Sequence, residues 1–256
     1  MPQVIAALDE AARWAAEAAA GTRTWNPVYR SLAADPGPPV TSPPDPAVLD
    51  LVLRQLTAPA LLVAAVTDGP RTRRLRCGLT PGSATLERSD GEELSQWSSI
   101  DVQDVPARIT ELLEEAGMDL APPRLSIRRD TDARRFTPSQ HRTVSAALGR
   151  GLSPEQAVAE VPDLDESLRD ALTAGGPRLS LALTLHDPRR RVTEEPVTWS
   201  CLWVSGQRGL YRTDRPTRPG PGVHAVNGGD VLGTVLPVLE QGLRFAAACA
   251  ASGSAQ

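Results

Sequence analysis

The sequence predicts an α+β fold of two pseudo-twofold-related halves, each a four-stranded antiparallel sheet with flanking helices, plus a helical insert. Three observations lead there. The order of elements repeats along the chain, two similar helices close the repeats, and turn residues fall at matching places. The two halves can join into one continuous sheet.

The closing helices come first. "DVPARITELLEEAG" (104–117) aligns with "DVLGTVLPVLEQG" (230–242). Asp104 matches Asp230, Ile109 matches Val235, and Leu113–Glu114 match Leu239–Glu240. An acid opens each helix, where it can cap free N–H groups and face the positive end of the dipole. Gly117 reads as a C-cap. Gly242 does not, because its helix runs on through "LRFAAACAA".

Four strands precede each closing helix. In the first copy they are Ala60–Val66, Leu75–Leu79, Ala84–Glu87 and about Trp97–Val102. In the second they are Leu179–Leu185, Val197–Val204, Gly209–Arg212 and Gly222–Val226. Charged turns, "DGPRTRR" and "DPRRR", follow the first strand of each copy, and Pro-Gly or Ser-Gly turns follow the second. Helix ends "LRQLTA" and "LRDALTA" open the two copies, and Cys77 and Cys201 occupy similar second-strand positions.

The remaining chain divides around these copies. Residues 1–34 hold an N-terminal amphipathic helix, expected over 3–20, and 35–46 form a Pro-rich linker. The first half spans 47–120, a helical connector 121–162, and the second half 163–256. The connector opens helices with Thr-Pro at 137 and Ser-Pro at 153, good N-cap and N1 pairs. A third helix is expected within 162–174. "RPTRPGPG" (215–222) reads as a long loop.

Composition narrows the function. The 256 residues are 41% hydrophobic, so a real core is expected. Every basic residue is Arg, which excludes Schiff-base lysine chemistry and a Walker A loop. A net charge of −4, mixed along the chain, argues against nucleic-acid and membrane-surface roles. Cys77, Cys201 and Cys249 are far apart and read as free thiols of a reducing cytoplasm. No run of apolar residues is long enough for membrane insertion. The start lacks the basic and apolar regions of a secretory leader.

Motifs of chemistry are missing. His141, His186 and His224 show no metal-ligand spacing, and there is no G-x-S-x-G elbow. No catalytic residue, metal or cofactor is expected, and the chain is read as no enzyme. Helices at 137–161 resemble a helix-turn-helix, but "SPEQAVAEV" and "PDLDESLRD" are too acidic for a DNA groove. A DNA-binding regulator and an immunity or adaptor-type binding protein stay as alternatives. The Arg-rich turns read either as charged hairpins blunting a sheet edge or as docking loops. In "VTWSCLWVSGQRGLYRT" (197–213), Trp199, Cys201 and Trp203 share one strand face, and Leu202 and Val204 make the other apolar too. Such a strand is central and covered on both sides, or offers a face to a partner.

The duplicated halves resemble the EspG family of type VII (ESX) secretion systems. The resemblance rests on "TAPALLVAAV" with its charged turn, on the hairpin "PVTWSCLWVSGQRGLYRT", and on the closing "VLPVLEQGL" helix. It implies a cytosolic chaperone that binds the apolar tip of helical PE–PPE substrates and keeps them secretion-competent. By position it implies that Arg71, Arg73, Arg74, Trp97, Trp199 and Trp203 contact a helical secreted protein or heterodimer.

Overall fold

A computed structural model describes residues 3–18, 24–32, 44–91, 94–118, 120–124, 133–214 and 222–254. The first half runs β1 (Gln3–Ala7), α1 (Leu8–Ala18), α2 (Pro27–Leu32), α3 (Pro46–Leu56), β2 (Ala60–Asp68), β3 (Arg71–Thr80), β4 (Ser83–Ser89), β5 (Leu94–Asp101) and α4 (Val105–Glu115). The connector holds α5 (Pro138–Gly149) and α6 (Pro154–Ala159). The second half runs α7 (Glu166–Leu172), β6 (Arg178–Leu185), β7 (Val197–Ser205), β8 (Leu210–Asp214), β9 (Gly222–Val226) and α8 (Gly229–Ser254). Most of the Pro-rich linker and of the 215–222 loop lies outside the described residues.

The nine strands form one antiparallel sheet in the order β1-β5-β4-β3-β2-β6-β7-β8-β9. Two four-stranded meanders meet where β2 pairs with β6. Their registers correspond. Leu62 pairs with Cys77, and its counterpart Leu181 pairs with Cys201. By the same offset Val63 corresponds to Ala182, and these two pair directly. A pseudo-twofold axis therefore passes between them.

Successive side chains of each strand point to opposite faces. On the core face, Leu62, Leu75, Cys77, Leu79, Leu181, Leu183, Cys201 and Trp203 pack against α4 and α8. Gly242 sits inside α8 directly over the seam, where a Cβ would lie 2.7 Å from Leu79 Cδ1 and 3.2 Å from Leu183 Cδ1. The helix backbone approaches the sheet there because no side chain intervenes. Gly117 caps α4 with φ of 69°, its N–H donating to Glu114 O while the next residue, Met118, donates to Leu113 O.

The opposite face is covered in two separate places. Over the first half lie α1, α2 and α3, with Trp14, Trp25, Tyr29, Leu51 and Leu56 packed on Leu61 and Trp97. Over the far end of the second half lie α5, α6 and α7, packed on Tyr211 and Val223. Capping boxes at Thr137 and Ser153 open α5 and α6 as their Pro-containing starts predict.

Four expectations need correction. Residues 3–7 are a strand, not the start of a helix. The β-branched Val4 and Ile5 favour extended backbone, and the open side of β5 supplies a ladder. The arginines of "DGPRTRR" lie in β3, because Gly69 at φ 55° lets the turn close in two residues, with Asp68 pairing with Arg71. Neither Arg-rich turn blunts a sheet edge: β2, β3, β6 and β7 are interior, and the edges are β1 and β9. Asp104 makes no side-chain capping bond, and Asp230 turns inward to accept from Trp203 Nε1 at 2.9 Å.

Candidate partner-binding face

A strand of an antiparallel sheet covered on both faces carries apolar residues on both, whereas one with an open face alternates apolar with small or polar residues. On the core face β2, β6 and β7 are apolar, and on the opposite face the buried Leu61 and Val204 lie at the two ends of a stretch of smaller residues. On the opposite face they present Val63, Ala65 and Thr67, then Ser180, Ala182 and Thr184, then Thr198, Ser200 and Leu202. All nine are uncharged and most are small. Ser180 and Thr198 are exposed, Leu202 is 36% exposed, and Val63, Ala65, Thr67, Ala182 and Ser200 are half-buried. Thr184 is buried and shares a hydrogen bond with Thr198 at 3.2 Å. Among the described residues no helix lies across this strip, although Val63 at its margin packs against the α1–α3 cluster, and the strip straddles the pseudo-twofold axis.

The first wall of the strip is fixed by a buried polar network beneath α2 and α3. Arg76 and Glu87 form an ion pair at 2.5 Å and are 5% and 1% exposed. Tyr29 Oη donates to Glu87 Oε2, Ser95 Oγ donates to Oε1, and the Arg76 guanidinium stacks over the Tyr29 ring. Gln55 Nε2 donates to Tyr29 Oη at 2.7 Å and to Arg76 O at 3.1 Å, and its Oε1 accepts from Thr85 Oγ1. Burial first, then the Glu87 charge, pushes the Tyr29 phenol well above its ordinary value. A Cβ at Gly78 would meet Thr85 Oγ1 at 2.6 Å, so glycine lets α3 press onto the sheet.

The second wall is fixed at the β7–β8 turn. Asp170 of α7 accepts from the backbone N–H groups of Gln207 and Arg208 at 3.0 and 2.9 Å. Burial opposes its charge, but those bonds and one from Tyr211 outweigh it and hold the carboxyl below its ordinary value. Tyr211 is pushed up to about 12 by burial and by Asp170. Arg208 also pairs with Glu166. The walls thus stand on rigid elements, with β2, β6 and β7 forming the floor. That floor crosses two strand spacings, roughly 10 Å, close to the diameter of one α-helix.

The six residues singled out by sequence are not brought together. Arg71, Arg73 and Arg74 follow one another on β3, so Arg71 and Arg73 point to the core-face side and Arg74 to the strip side. Arg71 is exposed, and Arg73 donates to Glu115 O at the end of α4. Trp97 is fully buried and donates to Ala6 O at 3.2 Å, pinning β1. Trp203 is fully buried on the core face, bonded to Asp230 and stacked under the Arg212 guanidinium. Trp97 and Trp203 therefore offer a partner no surface. Trp199 is half-buried at the margin of the core. The sequence pointed to Leu202 as part of a second apolar face of its strand, but not to Val63 or Ala182 beside it. For Ala182 the signal was the alternation in "RLSLALTL", where Ser180, Ala182 and Thr184 alternate with leucines.

A second feature lies on α8. The backbone of Pro122–Arg124 passes close enough that a Cβ at Gly233 would meet Arg124 O at 2.6 Å. Beside it opens a shallow cleft of about 370 Å³ lined by Pro123, Gly233, Leu236, Pro237 and Glu240. Among the described residues no group of three or more His, Cys, Asp or Glu side chains is placed to hold a metal. No described helix is long and apolar enough to cross a membrane.

Comparison with known proteins gives a likeness of fold. No family profile matches the sequence, and no curated protein matches it. Among solved structures, the Mycobacterium tuberculosis type VII secretion system chaperone EspG5, solved in complex with a PE25–PPE41 dimer, matches 94% of this chain. The match covers 97% of the EspG5 chain, with a TM-score of 0.54 and 9% identity. At that identity the likeness is one of architecture: this chain shares the α+β fold, with its large antiparallel sheet, of a secretion chaperone.

Proposed function

We propose that this protein is a chaperone or adaptor that seats the end of a helical partner on the open strip between its two helical walls. The observation that carries the reading is the strip itself. Among the described residues, three interior strands leave an uncharged surface of one helix's width uncovered, on a fold shared with a chaperone solved in complex with a PE–PPE dimer. The partner is then a helical pair of the PE–PPE type, held in the cytoplasm in a secretion-competent state. Seating its apolar end against Val63, Ala182 and Leu202 removes that end from water. Arg74, on the strip side of the hairpin end, stands as a further contact residue, whereas Arg71, Arg73 and the half-buried Trp199 lie on the other side of the sheet, where only a partner reaching around it meets them. Trp97 and Trp203 contribute by holding the sheet.

Co-expression with PE–PPE-type pairs, followed by size-exclusion chromatography, tests this. The expected result is a co-eluting complex that is lost in Ala182→Arg and Leu202→Arg variants with unchanged circular dichroism. Failure of every such pair to co-elute, or complexes untouched by both substitutions, overturns it.

A further inference from the structure

The strip is electrically asymmetric, and its charged end points to the chemistry of what binds there. At the end formed by the β2–β3 turn and the start of β6, Arg74 and Arg178 both project from the strip face. Arg74 pairs across the ladder with Ala65, and Arg178 with Thr67. Their Cα atoms lie about 12 Å apart, given two strand spacings and a two-residue offset. Between them lie only Ala65, Thr67, Thr72 and Ser180 on that face.

Neither arginine is neutralised by a described carboxylate. Arg178 donates to Ala174 O at 3.1 Å. Arg74 is half-buried, and burial followed by repulsion from Arg76 lowers its pKa, with Glu87 pulling the other way. Glu87 is already engaged by Arg76, Tyr29 and Ser95. The Asp68 side chain at the turn lies at the core-face parity, opposite Arg71. A half-buried guanidinium on a binding surface without a counter-charge is a costly arrangement unless a ligand supplies one.

We propose that Arg74 and Arg178 form a carboxylate-accepting rim, so that the strip takes a helical tip with an uncharged apolar end bordered by Asp or Glu side chains. This rests on the reading of the strip as the partner site. The rim fixes which way the tip enters, because an acidic border is attracted at the hairpin end and finds no cation elsewhere along the uncharged floor.

The probe is one designed two-helix hairpin with a tip of Ala, Ser and Leu, made in three forms. The tip border carries two Glu, two Gln or two Arg. Binding is followed by NMR through the methyl signals of Val63, Ala182 and Leu202 and the Nε–H signals of Arg74 and Arg178. The Glu form is expected to bind about tenfold tighter than the Gln form, and the Arg form weakest. The Glu preference should fall in Arg178→Gln, an exposed site that leaves the fold intact, and vanish when Arg74→Gln is added. Equal affinity of the Glu and Gln forms, with the methyl shifts still present, overturns the rim and leaves the strip standing. No methyl shift with any form overturns both.

Discussion

Replacing Glu87 by leucine tests how the first wall is held. The substitution leaves Arg76, 5% exposed, buried beneath α2 and α3 with no carboxylate. Breaking a buried ion pair from one side costs about 3–5 kcal/mol, because the remaining charge is uncompensated. Tyr29 Oη and Ser95 Oγ lose their acceptor as well, although leucine refills part of the volume. At about 2–4 °C per kcal/mol for a chain of this size, the midpoint of thermal unfolding should fall by roughly 6–20 °C. Replacing Arg76 and Glu87 together by leucine should recover most of that loss, since an apolar pair needs no counter-charge. Urea unfolding of the wild type, both single variants and the double variant completes the cycle. Hydrogen exchange would show the loss concentrated in α2, α3 and β4. A Glu87→Leu cost below about 1.5 kcal/mol, or a double variant no more stable than the single, would refute the reasoning.

Asp187 follows β6 and accepts from the N–H groups of Arg189, Arg191 and Val192 at 2.9, 2.6 and 2.7 Å. Burial opposes its charge, but these bonds and the Arg191 charge hold the carboxyl below its ordinary value. Its contribution is therefore complete above the ordinary aspartate range and is lost as pH falls through the lowered folded value. Asp187→Asn should cost about 1–2 kcal/mol at pH 6, a gap that begins to shrink at about pH 4 and closes only below the lowered folded value, as urea titrations at several pH values would show. Thiol labelling should modify Cys249 slowly in the native protein, and Cys77 and Cys201 only after unfolding. Both of those are buried, and burial pushes Cys77 up to about 12. Asp230→Leu should destabilise more than Asp230→Asn. The amide keeps an acceptor for Trp203 Nε1, while leucine leaves both that N–H and the buried Arg212 short of one. Equal losses in the two variants, measured by thermal unfolding, would count against that bond.

Most of the architecture was legible because it is written in local signals. A continuous apolar run marks β2, period-two alternation marks β6, and Pro-Gly at 81–82 closes β3 to β4 with Gly82 at φ 81°. The paired closing helices mark where each meander stops. What the sequence concealed depends on contacts distant along the chain. The extended start at Gln3–Ala7 is decided by the edge of β5, more than eighty residues away. Asp230 looks like a cap until Trp203 claims its carboxylate. The strip was hidden for another reason. Small residues on one face of a strand signal a surface that helices leave open, and where helices sit is a tertiary fact. The tryptophans, large and rare, read as partner contacts instead, yet Trp97 and Trp203 are buried in the core.

The placement of Gly242 bears on how the chain is completed during synthesis. α8 is the last described element in chain order, yet it lies across the joint between the halves, over Leu79, Leu183 and Ala60. A nascent chain can assemble β1, the first meander and its α1–α3 cover long before α8 leaves the ribosome. Throughout that interval the apolar seam on the core face stays wet. The fold closes like a hinged box whose hasp is cast last, so the ribosome-bound protein is the form most exposed to misassociation.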